Sequence, residues 1–454
     1  MAEFVGERLD FERELHASPE DVLRAWTEAE SLKGWFQPAG AEAQRIQLDA
    51  RPGGGFELEF PGGNGEGLVI TGRYRELTAR RLVIDFQPRW RGALSGRSSL
   101  VTVELVPRAA ETTLVLRHEG LDPADRNALQ LGWQQCFSRL AVSFHEALDA
   151  FYGRLEQFPR FRSRFGGLWP DLSDARERLA GKRALGQLDD EDARLFEHWI
   201  EHGFVVLEGA VPGELVDRYQ AELAEAWRTS DPAVEIEVYE DGVRRFVPMQ
   251  ARFRDQPHKV LDHHVRSRLA REIQFVPRTQ RFLAQLFERP PLAFQSLGFR
   301  WGTEQPMHQD TAYVVLRSPM EMVGSWVALE DVRPGTGELQ YYVGSHRIPE
   351  YVWFGRSRAK PYELEDDREF LRWVREESER LGCPLVRFRP KKGDVLLWHA
   401  DLVHGGALRE HPERTRQSLV THYCPVNVDP EFLERAPDRA KHEHAPGSFY
   451  CSQR

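Results

Sequence analysis

Cysteine is scarce: the chain has four, at positions 136, 383, 424 and 451, and none lies in a C-x-x-C pair. That excludes a disulfide framework and a zinc-ribbon site, and it fits a reducing compartment. Basic charge is not in excess either. Lys and Arg number 61 against 71 Asp and Glu, a net of −10. No general basic surface exists to grip a nucleic-acid backbone, so no nucleic-acid partner is expected. Long apolar runs are missing too; none approaches the roughly 18 residues that a membrane span needs. The first 25 residues, MAEFVGERLDFERELHASPEDVLRA, carry repeated charges and lack the apolar centre of a signal peptide. The expected location is therefore the cytoplasm. What is present is globular in kind. Hydrophobic residues make up 41%, charged residues 29%, and there are 12 Trp and 26 Phe, which excludes wholesale disorder. At roughly 100–200 residues per domain, 454 residues imply two to four domains.

Residues 8–152 read as one unit. RLDFERELHA has the character of an opening strand. Ser18 is a candidate N-cap, Pro19 takes the first helical position, and Asp21 places negative charge in the first turn. Val22, Leu23, Ala25 and Trp26 then give a helical apolar face. FELEF, LVITGRYREL, RLVIDF, SLVTVELV and TTLVLRHEG follow as strands, several separated by Gly-rich turns. A long helix closes the unit, from about Ala124 to Tyr152. SPEDVLRAWTEAESLKGWF, RPGGGFELEF and GWQQCFSRL together resemble the SRPBCC superfamily, in the domain type named after the activator of a heat-shock-protein ATPase. The resemblance implies a helix-grip fold, with a curved sheet wrapped around the long helix and an apolar cavity. It implies a pocket, not a reaction.

Residues 153–186 are Arg-rich and broken by Gly and Pro, and read as a solvated linker with a short helix. From 187 to 454 the character changes. LDDEDARLFEHWIEHG is a helix with an acidic start, ending at Gly203. FVVLEG is a buried strand and VPGELVDRYQAELAEAW a second helix. FQSLGFRW, GSWVALEDV, ELQYYVGS, GDVLLWHADL and RQSLVTHYC are strand-like. Helices followed by many short strands predict an α+β fold in two domains, the second a double sheet that carries the site.

The chemistry concentrates in His308-Gln309-Asp310. Positions i and i+2 of a strand face one way, so an imidazole and a carboxylate can converge there. With one more histidine they form the two-histidine, one-carboxylate set that suits iron(II) and leaves coordination positions open. The distal candidates are His399 and His404, in GDVLLWHADLVHGG. Arg416 follows 12 residues after His404, and Ser418 shares its strand face. A guanidinium is the natural partner of a dicarboxylate's free end.

These pieces resemble the phytanoyl-CoA dioxygenase family of iron(II)/2-oxoglutarate oxygenases. LDDEDARLFEHWIEHGFVVLEGAVPGELVDR, MHQD, GSWVALEDVRPGTGELQYYVGSHR and KKGDVLLWHADLVHGG with RTRQS occur in the family's order. The resemblance implies a double-stranded β-helix, or jelly roll. It implies His308, Asp310 and His404 as iron ligands, with Arg416 and Ser418 on 2-oxoglutarate. Gln295 falls where relatives touch the cosubstrate, and Trp326 lines the same chamber or serves only the core. Relatives often carry Lys at Trp301 and Ser at Gly406, so this chain departs at both. The implied reaction consumes O2 and 2-oxoglutarate, releases succinate and CO2, and hydroxylates or otherwise oxidises a C–H bond of a small organic metabolite. Natural-product biosynthesis is one setting in which the family does this. The retained Asp310 favours oxidation over halogenation, because halogenating relatives have a small residue in its place. A different class of reading is an apolar-ligand carrier that uses the N-terminal pocket, with a silent oxygenase half.

Blander readings apply elsewhere. Ser345-His346 reads as a turn-fixing motif. His263, His264, His442 and His444 read as solvated, and Cys383 and Cys424 as buried thiols. The Gly53–Gly55 run lacks a phosphate-loop lysine. The stretch from Pro349 to Leu381, with Tyr351, Trp353, Phe354 and Tyr362, either borders the substrate entrance or is a surface excursion.

Overall fold

A strand with one apolar face needs neighbours that share it, and in the first 144 residues the strands supply each other. The structure, a computed structural model, describes residues 7–15, 17–37, 43–61, 67–89, 96–108, 111–144, 160–240, 243–353, 357–361, 364, 366–435 and 440–451. It divides into two units, residues 1–153 with 361–367, and residues 154–360 with 368–454.

In the first unit, strands β1 (Glu7–Leu15), β2 (Arg45–Leu48), β3 (Gly55–Phe60), β4 (Leu68–Leu77), β5 (Arg81–Arg89), β6 (Ser99–Pro107) and β7 (Thr112–Leu121) form one sheet. Its order is β1-β7-β6-β5-β4-β3-β2, antiparallel throughout. Helices α1 (Pro19–Thr27) and α2 (Ala29–Trp35) interrupt it, and α3 (Arg126–Ser143) closes it. The expected cap is present: the Ser18 hydroxyl accepts from the Asp21 amide at 3.2 Å. Trp133, Cys136, Phe137 and Leu140 of α3 are buried among Ile84, Val101, Leu114 and other strand residues, which is the helix-grip arrangement.

The second unit begins with α4 (Ala175–Ala184), α5 (Asp190–His202), β8 (Phe204–Leu207) and α6 (Gly213–Thr229). Then come β9 (Glu235–Glu240), β10 (Val243–Pro248), β11 (His258–Leu261), α7 (Arg268–Gln274), α8 (Pro277–Phe287), β12 (Pro291–Phe299), β13 (Val323–Ala328) and β14 (Leu339–Tyr342). The rest is α9 (Arg368–Arg380), β15 (Leu385–Phe388), β16 (Val395–His399), β17 (His404–Gly406), β18 (Ser418–Pro425), α10 (Glu431–Arg435), β19 (His442–Ala445) and β20 (Ser448–Tyr450). A large sheet runs β10-β9-β11-β12-β18-β13-β16-β8, extended by β20 on β12 and β19 on β20, and a small one runs β15-β14-β17.

Strands β13, β16 and β18 are buried along their whole length, because the large sheet is covered on both faces. Val323, Val327, Leu397 and Leu419 pack outward against Phe196, Trp199 and Phe282 of the helices. Trp326, Leu396, Trp398 and Val420 point the other way, toward Tyr341 and Phe388 of the small sheet. Two facing sheets with a packed interior make the jelly roll that the sequence predicts.

Local signals hold at α5. Asp189 and Asp192 cap each other's backbone, and Gly203 ends the helix at φ 80°. A Cβ at Gly203 would lie 2.4 Å from His346 Nδ1, so close packing as well as backbone conformation requires glycine there. Two expectations are corrected. The segment read as a solvated linker buries Leu168, Trp169 and Leu179 in the core of the second unit; its Arg-rich composition hid three well-spaced apolar anchors. His263 and His264 are buried rather than solvated. His264 is satisfied inside the fold, with Nδ1 2.7 Å from Ser296 Oγ and Nε2 2.9 Å from the Cys451 carbonyl. Cys424 is buried as expected, whereas Cys383 is only partly so. Among the described residues no helix is long and apolar enough to cross a membrane.

Candidate metal centre

His308 and Asp310 do not sit in a regular strand. Gln309 is extended (φ −109°, ψ 135°) and Asp310 opens a short 3-10 turn. One extended residue is enough to keep the two side chains on the same side. An isolated antiparallel bridge ties His308 to His404, the first residue of β17. The ligand atoms of His308, Asp310 and His404 all lie within 4.8 Å of one another, and the three residues are buried.

The imidazoles are oriented for a cation. His308 Nδ1 lies 2.7 Å from the Pro306 carbonyl, and His404 Nδ1 2.9 Å from the Leu402 carbonyl. A carbonyl only accepts, so each Nδ1 donates to it and each Nε2 is left facing the cluster. Both Nε2 atoms stand 3.6 Å from Oδ1 of Asp310. Burial pushes His404 down to about 4, so it is neutral at pH 7. Burial alone would raise the Asp310 carboxyl, but His404, His422 and His308 around it hold it well below the usual carboxylate range. Two imidazoles that each turn Nε2 to the cluster, with an ionised carboxylate between them, are the donor set that a divalent first-row ion takes.

His399 is elsewhere. Its Nε2 lies 3.1 Å from Asp171 Oδ1, and its Nδ1 accepts from the Asp401 amide at 3.0 Å. Burial opposes charge on His399, yet Asp171 and Asp401 raise its pKa above the ordinary value.

Arg416 is fully buried, and burial pushes it down to about 10 although Glu330 and Glu338 oppose the shift. Its Nη1 donates to Ser418 Oγ at 3.2 Å, its Nη2 to the Trp301 carbonyl at 3.4 Å, and among the described residues its Nε has no hydrogen-bond partner. Among the described residues no carboxylate pairs with it within 4.0 Å. A guanidinium taken out of water without a counter-ion calls for an anion. Trp326 faces the same interior, its ring 5.3 Å from the guanidinium carbon. Gln295, half-buried on β12, pairs in register with His422 of β18. At the two departures, Trp301 contributes a carbonyl to Arg416, and its indole N–H has no hydrogen-bond partner among the described residues. Gly406 leaves no room for serine: a Cβ would lie 2.8 Å from the Glu304 amide nitrogen.

Three participants escaped the sequence reading. Trp398 donates to Asp310 Oδ2 at 2.8 Å. His422 Nε2 stands 3.4 Å from the same oxygen. Its signal was the spacing, four residues beyond Ser418 on one strand face. Arg358 is buried, with Nη2 on Asp401 Oδ1, Thr311 Oγ1 (3.0 Å) and Gln309 Oε1 (3.3 Å). It ties the 349–381 stretch to the residues flanking Asp310. An aromatic wall continues from there. Tyr313 lies 5.6 Å from the His308 ring and 6.2 Å from Phe370, which meets Tyr351 and Trp353 at 5.2 Å each. Phe354 and Tyr362 of that stretch lie outside the described residues.

Comparison with known proteins bears on family. Over 163 residues the chain is 23% identical to phytanoyl-CoA dioxygenase domain-containing protein 1 of Mus musculus, covering 35% of this chain and 54% of that protein. The chain thus spans about half the length of this curated relative. Among solved structures it is similar to the epimerase SnoN, crystallised with Fe3+, alpha ketoglutarate and nogalamycin RO (18% identity, 53% of this chain, 86% of that one, TM-score 0.40). It is similar to EctD from S. alaskensis (19% identity, 54% and 79%, TM-score 0.40) and to protein CV1439 of Chromobacterium violaceum (30% identity, 31% and 98%, TM-score 0.27). The family description "Phytanoyl-CoA dioxygenase (PhyH)" matches residues 199–410, and "Activator of Hsp90 ATPase homolog 1-like protein" matches residues 16–145, so the chain carries an N-terminal segment similar to the second family and a C-terminal segment similar to the first.

Proposed function

We propose that the chain is an iron(II)- and 2-oxoglutarate-dependent dioxygenase that hydroxylates, or otherwise oxidises a C–H bond of, a small organic metabolite. The observation that carries this reading is the coexistence of two features in one jelly-roll unit: the buried His308–Asp310–His404 cluster and the buried guanidinium of Arg416, which has no carboxylate partner among the described residues. Iron and 2-oxoglutarate, when bound, supply the oxygen chemistry, in which the cosubstrate leaves as succinate and CO2. The chain's own part is to hold and orient. His308, Asp310 and His404 would hold the ion. Arg416 would bind the distal carboxylate of 2-oxoglutarate, assisted by Ser418, with Gln295 and Trp326 lining the chamber. The surrounding apolar residues Leu396, Trp398 and Val420 exclude water, which strengthens each charge contact inside.

The carrier reading has less support. Among the described residues of the first unit, an apolar cavity bounded by Trp26, Phe36, Phe56, Tyr74 and Trp133 measures about 30 Å³, space for about one or two waters.

The test is succinate formation by the purified full chain, with iron(II), 2-oxoglutarate and air, in the presence and absence of candidate substrates. Activity should require iron(II) and vanish in His308→Ala and Asp310→Ala. Substrate turnover that persists in a chelated, metal-free preparation refutes the reading.

A further inference from the structure

The two oxygens of Asp310 have different surroundings. Oδ1 faces the Nε2 atoms of His308 and His404, 3.6 Å from each. Oδ2 faces away from that pair, accepting from the Trp398 indole at 2.8 Å and lying 3.4 Å from His422 Nε2. An indole N–H can only donate and an ionised carboxylate can only accept, so this contact has one sense and favours the ionised acid. Among the described residues neither ring nitrogen of His422 has another hydrogen-bond partner that would compete for it.

The indole itself has little freedom. Trp398 lies on β16, every residue of which is buried. Its ring packs 4.9 Å from the His404 ring. Its register partner across the sheet is Gly324 of β13, and a Cβ there would fall 2.2 Å from the indole ring. Gly324 is thus the seat of the indole. The ring touches two members of the cluster at once, by hydrogen bond to Asp310 and by packing on His404.

We propose that Trp398 is a positioning residue of the metal centre: with His422 it engages Oδ2 of Asp310 and so leaves Oδ1 as the single oxygen presented to a cation held by His308 and His404. A carboxylate that offers one oxygen leaves open a coordination position that a two-oxygen grip fills, and a 2-oxoglutarate enzyme needs its open positions for cosubstrate and dioxygen. The inference rests on the iron-binding reading of the same cluster.

The test uses the full chain, freed of metal and titrated with Co(II) under anaerobic conditions. Trp398→Phe removes the N–H and keeps an aromatic ring. Its Co(II) dissociation constant should rise about 10- to 100-fold, the usual loss when an outer partner of a ligand is removed. The visible absorption bands of the bound Co(II) should shift as well. A core-packing role alone would lower the melting temperature of the metal-free protein and leave affinity and spectrum as in wild type. His422→Phe carries the same test from the other side of Oδ2, with a smaller weakening expected, should Trp398→Phe not fold. Wild-type affinity and spectrum in whichever variants fold overturn the inference. Failure of the wild-type chain to bind Co(II) in the same titration sinks the underlying iron reading instead.

Discussion

His308 and His404 hold each other by the main chain: the amide of each donates to the carbonyl of the other, at 2.8 and 3.0 Å. The ring centroids lie 4.5 Å apart as a result. The cluster is therefore built into the backbone, and side-chain loss should empty it without collapsing it. His404→Ala is expected to weaken metal binding by more than about 100-fold, beyond the range for an outer partner. His399→Ala should leave metal binding intact and cost roughly 1–3 kcal/mol of stability, because Asp171 Oδ1 loses His399 and keeps the Leu168 amide on its other oxygen. Metal titration and chemical denaturation of the two variants separate the roles. Equal metal loss in both would show that His404 has no special part.

Arg416 makes a second prediction. If its guanidinium grips a carboxylate through two parallel hydrogen bonds, lysine cannot replace it. Arg416→Lys and Arg416→Met should both raise the dissociation constant for 2-oxoglutarate, by about 10- to 150-fold, the range for losing charge-assisted hydrogen bonds. Affinity for the metal alone should stay near wild type. Calorimetry with metal, then with cosubstrate, reads the two separately. An unchanged 2-oxoglutarate constant in Arg416→Met removes the cosubstrate role.

What was legible in the sequence was local. Ser18 and Gly203 announce helix ends because a cap is a matter of a few adjacent residues. His308, Asp310, His404 and Arg416 stood out as candidates because each sits in a short recognisable motif. Trp398 and Arg358 were not. Their partners, Asp310 and Asp401, stand 88 and 43 positions away, and only the folded sheets bring them together. His264 was misread for the same reason. Its partners, Ser296 on β12 and Cys451 just past β20, are distant in sequence, so a local view saw only a polar pair.

The first unit carries a pH-sensitive joint. His118 Nδ1 accepts from the Trp133 indole at 3.0 Å, and its Nε2 meets Ser99 Oγ at 2.7 Å. Both contacts suit the neutral ring, and burial pushes His118 down to about 3 from an ordinary 6.5. Below pH 6.5 the unfolded chain binds a proton that the folded one refuses. Stability is therefore full above about 6.5 and falls with pH toward 3, by about 1.4 kcal/mol per unit from this residue. His118→Gln should flatten that slope. Denaturation midpoints of the two proteins between pH 4 and 8 check it; parallel slopes would count against the assignment.

Arg358 supports the last prediction. Its guanidinium is buried and pairs with Asp401, which also accepts from Thr311 Oγ1 at 2.6 Å. Gln309 Nε2 donates to the Asp401 carbonyl at 2.8 Å, and the Lys360 amide to the Ala312 carbonyl at 2.8 Å. The 357–360 turn is thus stitched to both neighbours of Asp310. Arg358→Met strands a carboxylate in the interior, which costs roughly 3–5 kcal/mol. Replacing both members, as Arg358→Met with Asp401→Leu, removes the stranded charge and should recover much of that loss, because a buried pair contributes little net stability over apolar packing. Urea denaturation of the single and double variants gives the comparison. A double variant no more stable than Arg358→Met alone would show that the arginine acts through packing rather than through charge.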